Sequence, residues 1–249
     1  MKGRAVELTA TGDVVAACDD DTMIVWAARG MGAGVRAWAL GEAVAVASPD
    51  LNRRDRLTVR GPAPQVARLV GLVRPELDPS YRLLGDRALL DELAERVPVV
   101  RTLASFEWMD STRPPPPAKA PAAGGWLEGA EREVSALLAE ASPSSWATPG
   151  VAGVRRWAGL RAEDGTLVAT AADAWSCPQV GFVAGVATAP SHRGRGHGER
   201  LCRFAFEALV AGHGRVALMV ETGNHQAIGL YERLGLRLRP VAAATLDGA

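Results

Sequence analysis

Apolar residues recur along this chain with two periods, alternate positions in some stretches and every third or fourth in others, and the changes between them mark out strands and helices. Residues 23–29, 35–40 and 42–48 are short apolar runs separated by glycines, which predicts a small antiparallel meander. Residues 65–73 place Val66, Leu69, Val70 and Val73 at helical spacing after Pro62 and Pro64, and residues 86–96 do the same with Leu89, Leu90 and Leu93. Residues 97–108 then read as a strand that either closes a first half or opens a second. Further on, residues 127–140 carry Val134, Leu137 and Leu138 on one face behind an acidic start, an amphipathic helix. Residues 157–161 and 167–172 predict strands around Glu163-Asp164-Gly165, where Asp-Gly supplies a hairpin turn. Residues 180–189 are apolar on both faces, as a central strand covered on both sides would be. A helix striped with Leu201, Phe204, Ala205, Ala208 and Leu209, a strand at 215–221 and a helix at 225–235 capped by Gly235 complete the pattern.

Between these two sets lies the segment 111–125, where Pro114 to Pro117 enforce a stiff extended path and an Ala/Gly tail restores flexibility. It reads as a linker and divides the chain into residues 1–110, 111–125 and 126–249. With 249 residues, 48% of them hydrophobic and 22% charged, the chain is a folded protein of one large domain or two small ones. Lys+Arg 28 balances Asp+Glu 28, so no net field draws the molecule to nucleic acid or to anionic membranes. Lysine occurs only at Lys2 and Lys119. Neither follows a phosphate-loop glycine, which excludes that nucleotide site, and Schiff-base chemistry is equally disfavoured. Cys18, Cys177 and Cys202 are far apart and form no C-x-x-C pair, so neither a disulfide framework nor a zinc site is expected. The histidines have no ligand spacing, and no metal is expected. The charged first twenty residues are unlike a secretory signal, and the longest uncharged stretch, 174–192, is interrupted by Pro178, Gln179 and Pro190. A cytoplasmic protein is the expectation.

The chemistry concentrates after the central strand, at His192-Arg193-Gly194-Arg195-Gly196-His197-Gly198 and the helix that follows. Glycines let the backbone close around a ligand, and the first N–H groups of a helix lack intrahelical acceptors and carry the positive end of its dipole. Strand, glycine turn and helix therefore make an anion site, to which Arg193 and Arg195 add charge. A dinucleotide turn needs a third glycine where Glu199 stands, so that reading fails. Glu199 and Arg203, four apart in the favourable order, predict a helix-supporting pair. Gly30, Gly32 and Gly34 contain no cation and precede no helix, and read as a turn.

Arg193-x-x-Gly196-x-Gly198 after an apolar strand, then Asn224-x-x-Ala227 and Leu230-Tyr231-Glu232-Arg233-Leu234-Gly235, resembles the GNAT family of acyl-CoA-dependent N-acetyltransferases. The resemblance covers about residues 127–246. It implies an α/β fold with a mixed central sheet flanked by helices. The first half, with its meander, helix, strand, helix and strand, then looks like a degenerate copy, giving two tandem GNAT-like halves. Asp50 to Arg54 and Gly61 sit where its loop would fall, without the paired glycines. That half is expected to wall the acceptor pocket, with Trp26, Trp38, Trp108 and Trp175 as lining candidates or core anchors.

In such proteins the backbone of Val186, Ala187 and Thr188 would pair with the pantetheine arm, and Arg193, Gly194, Arg195, Gly196, His197 and Gly198 would hold the pyrophosphate of acetyl-CoA. Asn224, with Ala227 completing its motif, would bond the pantetheine region, and Tyr231 would protonate the departing thiolate. His197 and His225 depart from the usual residues, without consequence for a loop that works through its backbone. For the general base Glu221 is the first candidate, with Asp173, His192 and water relays open. The expected activity is transfer of acetyl from acetyl-CoA to a primary amine, on a small molecule or a peptide, by direct attack in a ternary complex without an acyl-cysteine. The alternative is a non-catalytic acyl-CoA sensor or partner-binding module. Oligomeric state stays open, a homodimer included.

Overall fold

The computed structural model describes residues 4–32, 34–97, 99–117 and 121–246. Lys2, Lys119, Ala33 and the centre of the proline-rich segment lie outside the described residues. The chain forms two compact units. The first holds residues up to Trp108 together with 221–223 and everything from Arg239, and the second holds Met109–Val220 and Asn224–Leu238. This division differs from the one expected at 111 and 125. The last strand leaves the second half, and the proline-rich segment belongs to the second unit. There the Pro116 carbonyl accepts from Arg203, Ala123 N donates to Arg200 O at 3.2 Å, and a Cβ on Gly124 would stand 2.6 Å from Gly159 O.

In the first unit β1 (Val6–Leu8), β2 (Arg36–Leu40), β3 (Ala43–Leu51), β4 (Arg54–Arg60) and β5 (Arg82–Asp86) lie side by side, followed by the C-terminal strand β12 (Arg237–Leu246) against β5. Only β4 and β5 run parallel, joined by α3 (Ala63–Val73), and β5 leads into α4 (Arg87–Arg96). The apolar stripe of α3, Val66, Leu69, Val70 and Val73, closes a core with Ala45, Ala47, Leu57 and Val59. Helix α2 (Thr22–Ala28) packs on β3 and β4, beside α1 (Thr11–Ala17).

Here the pattern misled. Residues 23–29, expected as a strand of a meander, are helical, because all seven residues of α2 are buried and a helix enclosed on every side has no polar face to show the period. Such a short helix is not stable in water by itself, and burial holds it. Asp21 sets its start. Its carboxylate accepts from Met23 N and Ile24 N, both at 3.0 Å, and pairs with Arg60 and Arg239. Strand β5 is the strand expected between the two helices of the first half, whereas the pattern gives no range for β4 and β12; in β4, Arg54, Arg56 and Arg60 interrupt the apolar residues. Asp50 to Arg54 form the β3–β4 hairpin rather than a degenerate phosphate loop, since Leu51 pairs with Arg54. Trp26, Trp38, Trp108 and Trp175 are all buried, and Trp26 meets Trp108 at 5.3 Å between ring centroids. They anchor cores and line neither of the two cavities beside the glycine loop.

The second unit orders β11 (Val216–Glu221), β10 (Gly181–Thr188), β9 (Leu167–Ala174), β8 (Val154–Arg161) and β7 (Gly125–Trp126). Every residue of β9 is buried. Helix α5 (Glu131–Ala141) and helix α6 (His197–His213) both pack on β9 and β10, and Leu201, Cys202, Ala205, Phe206 and Leu209 of α6 form the core with Val168, Val183 and Leu218. The Asp-Gly turn is as expected, with Gly165 at φ +87 and Ala162 N donating to Thr166 O. Helix α7 (His225–Arg233) stops one residue before Leu234, and Gly235 follows at φ +89. The strand expected at 97–108 is β6 (Val100–Ser111), and its residues fall in both units.

Asp21 is the prediction of this fold. Burial alone would raise its carboxyl, but the hydrogen bond and charge of Arg239, the Ile24 N–H and the charge of Arg60 outweigh this and hold it below its ordinary 3.8. A depressed carboxyl stabilises the folded state above the unfolded value and ceases to do so as pH falls through the folded one. Asp21→Ala is expected to cost about 2–3 kcal/mol at pH 7, through the lost cap and the stranded arginines. Urea midpoints should show this deficit shrinking as pH falls below about 4, where the unfolded-state carboxyl takes its proton, until pH passes the lower value of the native carboxyl. An undiminished deficit at pH 2.5 would contradict the assignment.

Candidate functional site

Strands β10 and β11 pair in parallel only from Gly181 with Val216 to Val183 with Leu218. Beyond that point β10 continues to Thr188 and β11 to Glu221 without further pairing, so the strands part. A bulge makes the turn possible. On the side facing β9, Ala184 pairs with Ala172 and Ala187 with Thr170, so two residues of β10, Gly185 and Val186, oppose one of β9. Gly185 takes φ +59, and a Cβ there would stand 2.7 Å from the Trp157 ring. Only glycine fits both the backbone and the space. The parted stretch leaves peptide groups that can pair with an extended amide-bearing ligand in place of a strand.

At the end of β10 the chain turns into α6 through the glycine loop. Gly194 and Gly196 lie at φ +74 and +76, with open space where a Cβ would point. Among the described residues nothing accepts from the N–H groups of Gly194 to Glu199. These amides, at the start of a 17-residue helix, form the cradle that an anion fills. Gly198 packs closely, since a Cβ would meet Thr188 Oγ1 at 3.0 Å. Arg193 has a different part from the one its charge suggested. Its guanidinium donates to Thr188 O at 3.2 Å and to Ala141 O at 3.1 Å, tying the loop to β10 and to the C-terminal end of α5. Glu199 pairs with Arg233 of α7 at 3.3 Å rather than with Arg203, whose side chain is buried and bonded to Pro116.

Helix α7 closes the other side. Asn224 Oδ1 accepts from Ala227 N at 3.2 Å, so the Asn-x-x-Ala spacing is that of an N-cap and the backbone group it satisfies. One turn on, Tyr231 is buried, with its ring 6.0 Å from that of Phe206. Burial, with Cys202 beside it, holds the phenol proton well above the ordinary value of 10.0.

These parts enclose a cavity of 530 Å³. Val186, Ala187, Thr188, Arg193, Gly194, Gly196, His197, Gly198, Asn224, Ala227 and Tyr231 all line it. Arg195 does not. It lines a neighbouring cavity of 720 Å³ with Arg161 and Arg200, and the two cavities share only His192 and His197. There burial, His192, Arg200 and Arg195 lower the His197 imidazole below its ordinary 6.5. The larger cavity touches neither β10 nor Tyr231, and the smaller one touches both. Glu221 lines neither and is exposed. Asp173 is buried, its carboxylate bonded to Arg156 and Ser176. Sequence reasoning missed Ala141, Ser142, Gln226, Leu230 and Arg233 in the smaller cavity. Leu230 and Arg233 flank Tyr231 in the same short motif and could have been read, whereas only the tertiary fold brings the end of α5 to the loop.

Residues 126–236 match the model of the acetyltransferase (GNAT) family. Among solved structures, a GCN5-related N-acetyltransferase from Sphaerobacter thermophilus is similar at 19% identity and TM-score 0.54, over 98% of this chain and 96% of that one. A GNAT acetyltransferase from Colwellia psychrerythraea is similar at 13% and 0.54, over 97% and 99%. A third, from Kribbella flavida, is similar at 19% and 0.53, over 86% and 90%. A search of curated proteins finds no match. The fold over nearly the whole chain is that of these N-acetyltransferases, and the chemistry of the family whose model matches residues 126–236 is acyl transfer.

All three cysteines are free and buried. Burial raises the thiols of Cys18 and Cys177, and pushes Cys202 up to about 12, so thiolate is scarce at neutral pH. A thiol-reactive dye at pH 7.5 should label none of them in the native protein and all three in guanidinium. Rapid native labelling of Cys202 would refute this description of the core and reopen an acyl-cysteine route.

Proposed function

We propose that the second unit transfers an acetyl group from acetyl-CoA to a primary amine, on a small molecule or a peptide, by direct attack in a ternary complex. The observation that carries this reading is that one cavity holds three things together: the unpaired backbone of β10, the free amides of Gly194 to Glu199, and the protonated phenol of Tyr231.

Glycines at positive φ, with open space where side chains would stand, fit a diphosphate lying against the loop. Acetyl-CoA, when bound, supplies a thioester whose carbonyl carbon the amine attacks and whose sulfur departs. The amides of 194–199 bind the anionic end, and the backbone around Val186 to Thr188 aligns the acyl arm as a neighbouring strand would. An N–H of this stretch is placed to polarise the carbonyl where charge develops. Tyr231 holds its proton at Oη throughout the assay range and donates it to the leaving sulfur. A phenol kept protonated by burial is a suitable acid here, because its task begins only as charge appears. We assign the amine proton to solvent at the cavity mouth rather than to Glu221, which is exposed and outside the lining.

Calorimetry should show acetyl-CoA binding to the native protein, and thiol release should follow with at least one member of an amine panel. Binding without release in any mixture would favour the sensor reading. Tyr231→Phe is expected to lower kcat about 10²-fold while leaving the KM for acetyl-CoA nearly unchanged. Glu221→Gln should keep kcat within about twofold, since loss of a true general base costs about 10²-fold or more. A drop of that size with a displaced acidic limb would make Glu221 the base.

A further inference from the structure

Two histidines stand where the two cavities of the second unit meet. His192 and His197 line both cavities, and their ring centroids are 6.0 Å apart. Both are half-buried. His197 opens α6, and its own N–H is among the amides of 194–199 that lack an acceptor, so an anion held by those amides lies within reach of its imidazole. Among the described residues its buried Nδ1 has no partner. The Nδ1 of His192 meets the Ser191 hydroxyl at 3.0 Å.

The other charged and titratable groups around the pair come from three elements. The loop and α6 bring Arg193, Arg195, Glu199 and Arg200, of which Arg193 is bonded to two carbonyls and Glu199 to Arg233. The β8–β9 hairpin brings Arg161, bonded to Glu133 and to the Gly165 carbonyl, with the exposed Glu163 and Asp164. Helix α7 brings Arg233 and Tyr231. Among these types, histidine is the one whose charge ordinarily changes between pH 5 and 8. In the free protein burial and the cations His192, Arg200 and Arg195 hold His197 below its ordinary 6.5, so it is neutral at pH 7. A diphosphate on the loop reverses this balance. It brings negative charge to the place where cations had gathered, and it accepts hydrogen bonds that a charged imidazolium donates more strongly than a neutral ring.

We propose that His197, with His192 beside it, takes up a proton from solvent when the diphosphate of the acyl donor binds the loop, and donates a charged hydrogen bond to it. The inference rests on the reading of the loop as the donor's site. No covalent bond of the donor changes in this step, and the imidazole alone gains the proton. Binding thus raises the pKa of the group. Affinity is greatest below the free-state value, declines as pH rises, and levels off above the value in the complex. The histidine that departs from the usual residue between the last two glycines thereby makes donor binding sensitive to pH.

The test uses the full chain at fixed ionic strength with dephospho-CoA, whose diphosphate keeps its charge across the range and which has no phosphate monoester to titrate. Its Kd should rise about fivefold or more from pH 6 to pH 8, since each unit of difference between the two pKa values is worth about tenfold. Calorimetry at pH 6.5 in buffers of different ionisation enthalpy should show uptake of about half a proton per site. In His197→Ala the Kd should vary less than about twofold over the same range, and the proton uptake should fall by about half or more. His197→Gln, polar but never charged, should behave alike and serves if the alanine variant does not fold. If dephospho-CoA does not bind, the difference between native protein and variant with acetyl-CoA decides in the same way, because the titration of its monoester is common to both. A Kd constant with pH, no proton uptake, or an unaltered profile in the variants would overturn the proposal and leave the transferase reading in place. No binding of either probe at any pH would overturn both.

Discussion

The parting of β10 from β11 after Val183 and Leu218 is the constraint on which the site rests. A strand between two neighbours spends its backbone hydrogen bonds on them and has none left for a ligand. Here the bulge at Gly185 and Val186 turns β10 away while β9 still holds its other edge, so one row of peptide groups opens. The same turn delivers the chain to the start of α6, where another set of amides lacks acceptors. Both sets belong to backbone, and both face a cavity that the buried phenol of Tyr231 completes. Arg193 fastens the corner through carbonyls of Thr188 and Ala141, which keeps the loop open against its own flexibility.

The two halves repeat one topology and finish it differently. In both, an antiparallel hairpin leads to a strand, a helix and a parallel strand. In the first half the strand-to-helix corner is Gly61-Pro62, where a Cβ on Gly61 would stand 2.6 Å from Glu42 O. The Gln65 side chain accepts from Glu42 N at 2.7 Å. Protein atoms occupy the place that the second half leaves open, and no bulge interrupts β4 between Val44 and Ser48 of its partner. The corner that would cradle a phosphate has become packing.

Legibility followed whether a residue acts through local backbone or through distant neighbours. Arg193-x-x-Gly196-x-Gly198 was readable because glycine conformation and helix amides are properties of a few consecutive residues, and these residues line one cavity. The Asn224-x-x-Ala227 spacing was recognised but not explained until the cap appeared. Residues 23–29 were misread because complete burial removes the polar face by which a helix announces itself. Glu199 and Arg203 satisfied a helix rule, yet packing sent one to Arg233 and the other to Pro116.

By itself the amino-acid order determined the glycine corner, the helices and strands that bracket it, and the tyrosine set nearly two turns into the last helix, since each depends on nearest neighbours along the chain. Tertiary structure alone decided that β12 joins the first unit, that the proline-rich segment is packed on the second, that Arg195 and Glu221 fall outside the cavity, and that Arg56 is buried. Those outcomes are set by which surfaces meet across long stretches of sequence, and no local period records them.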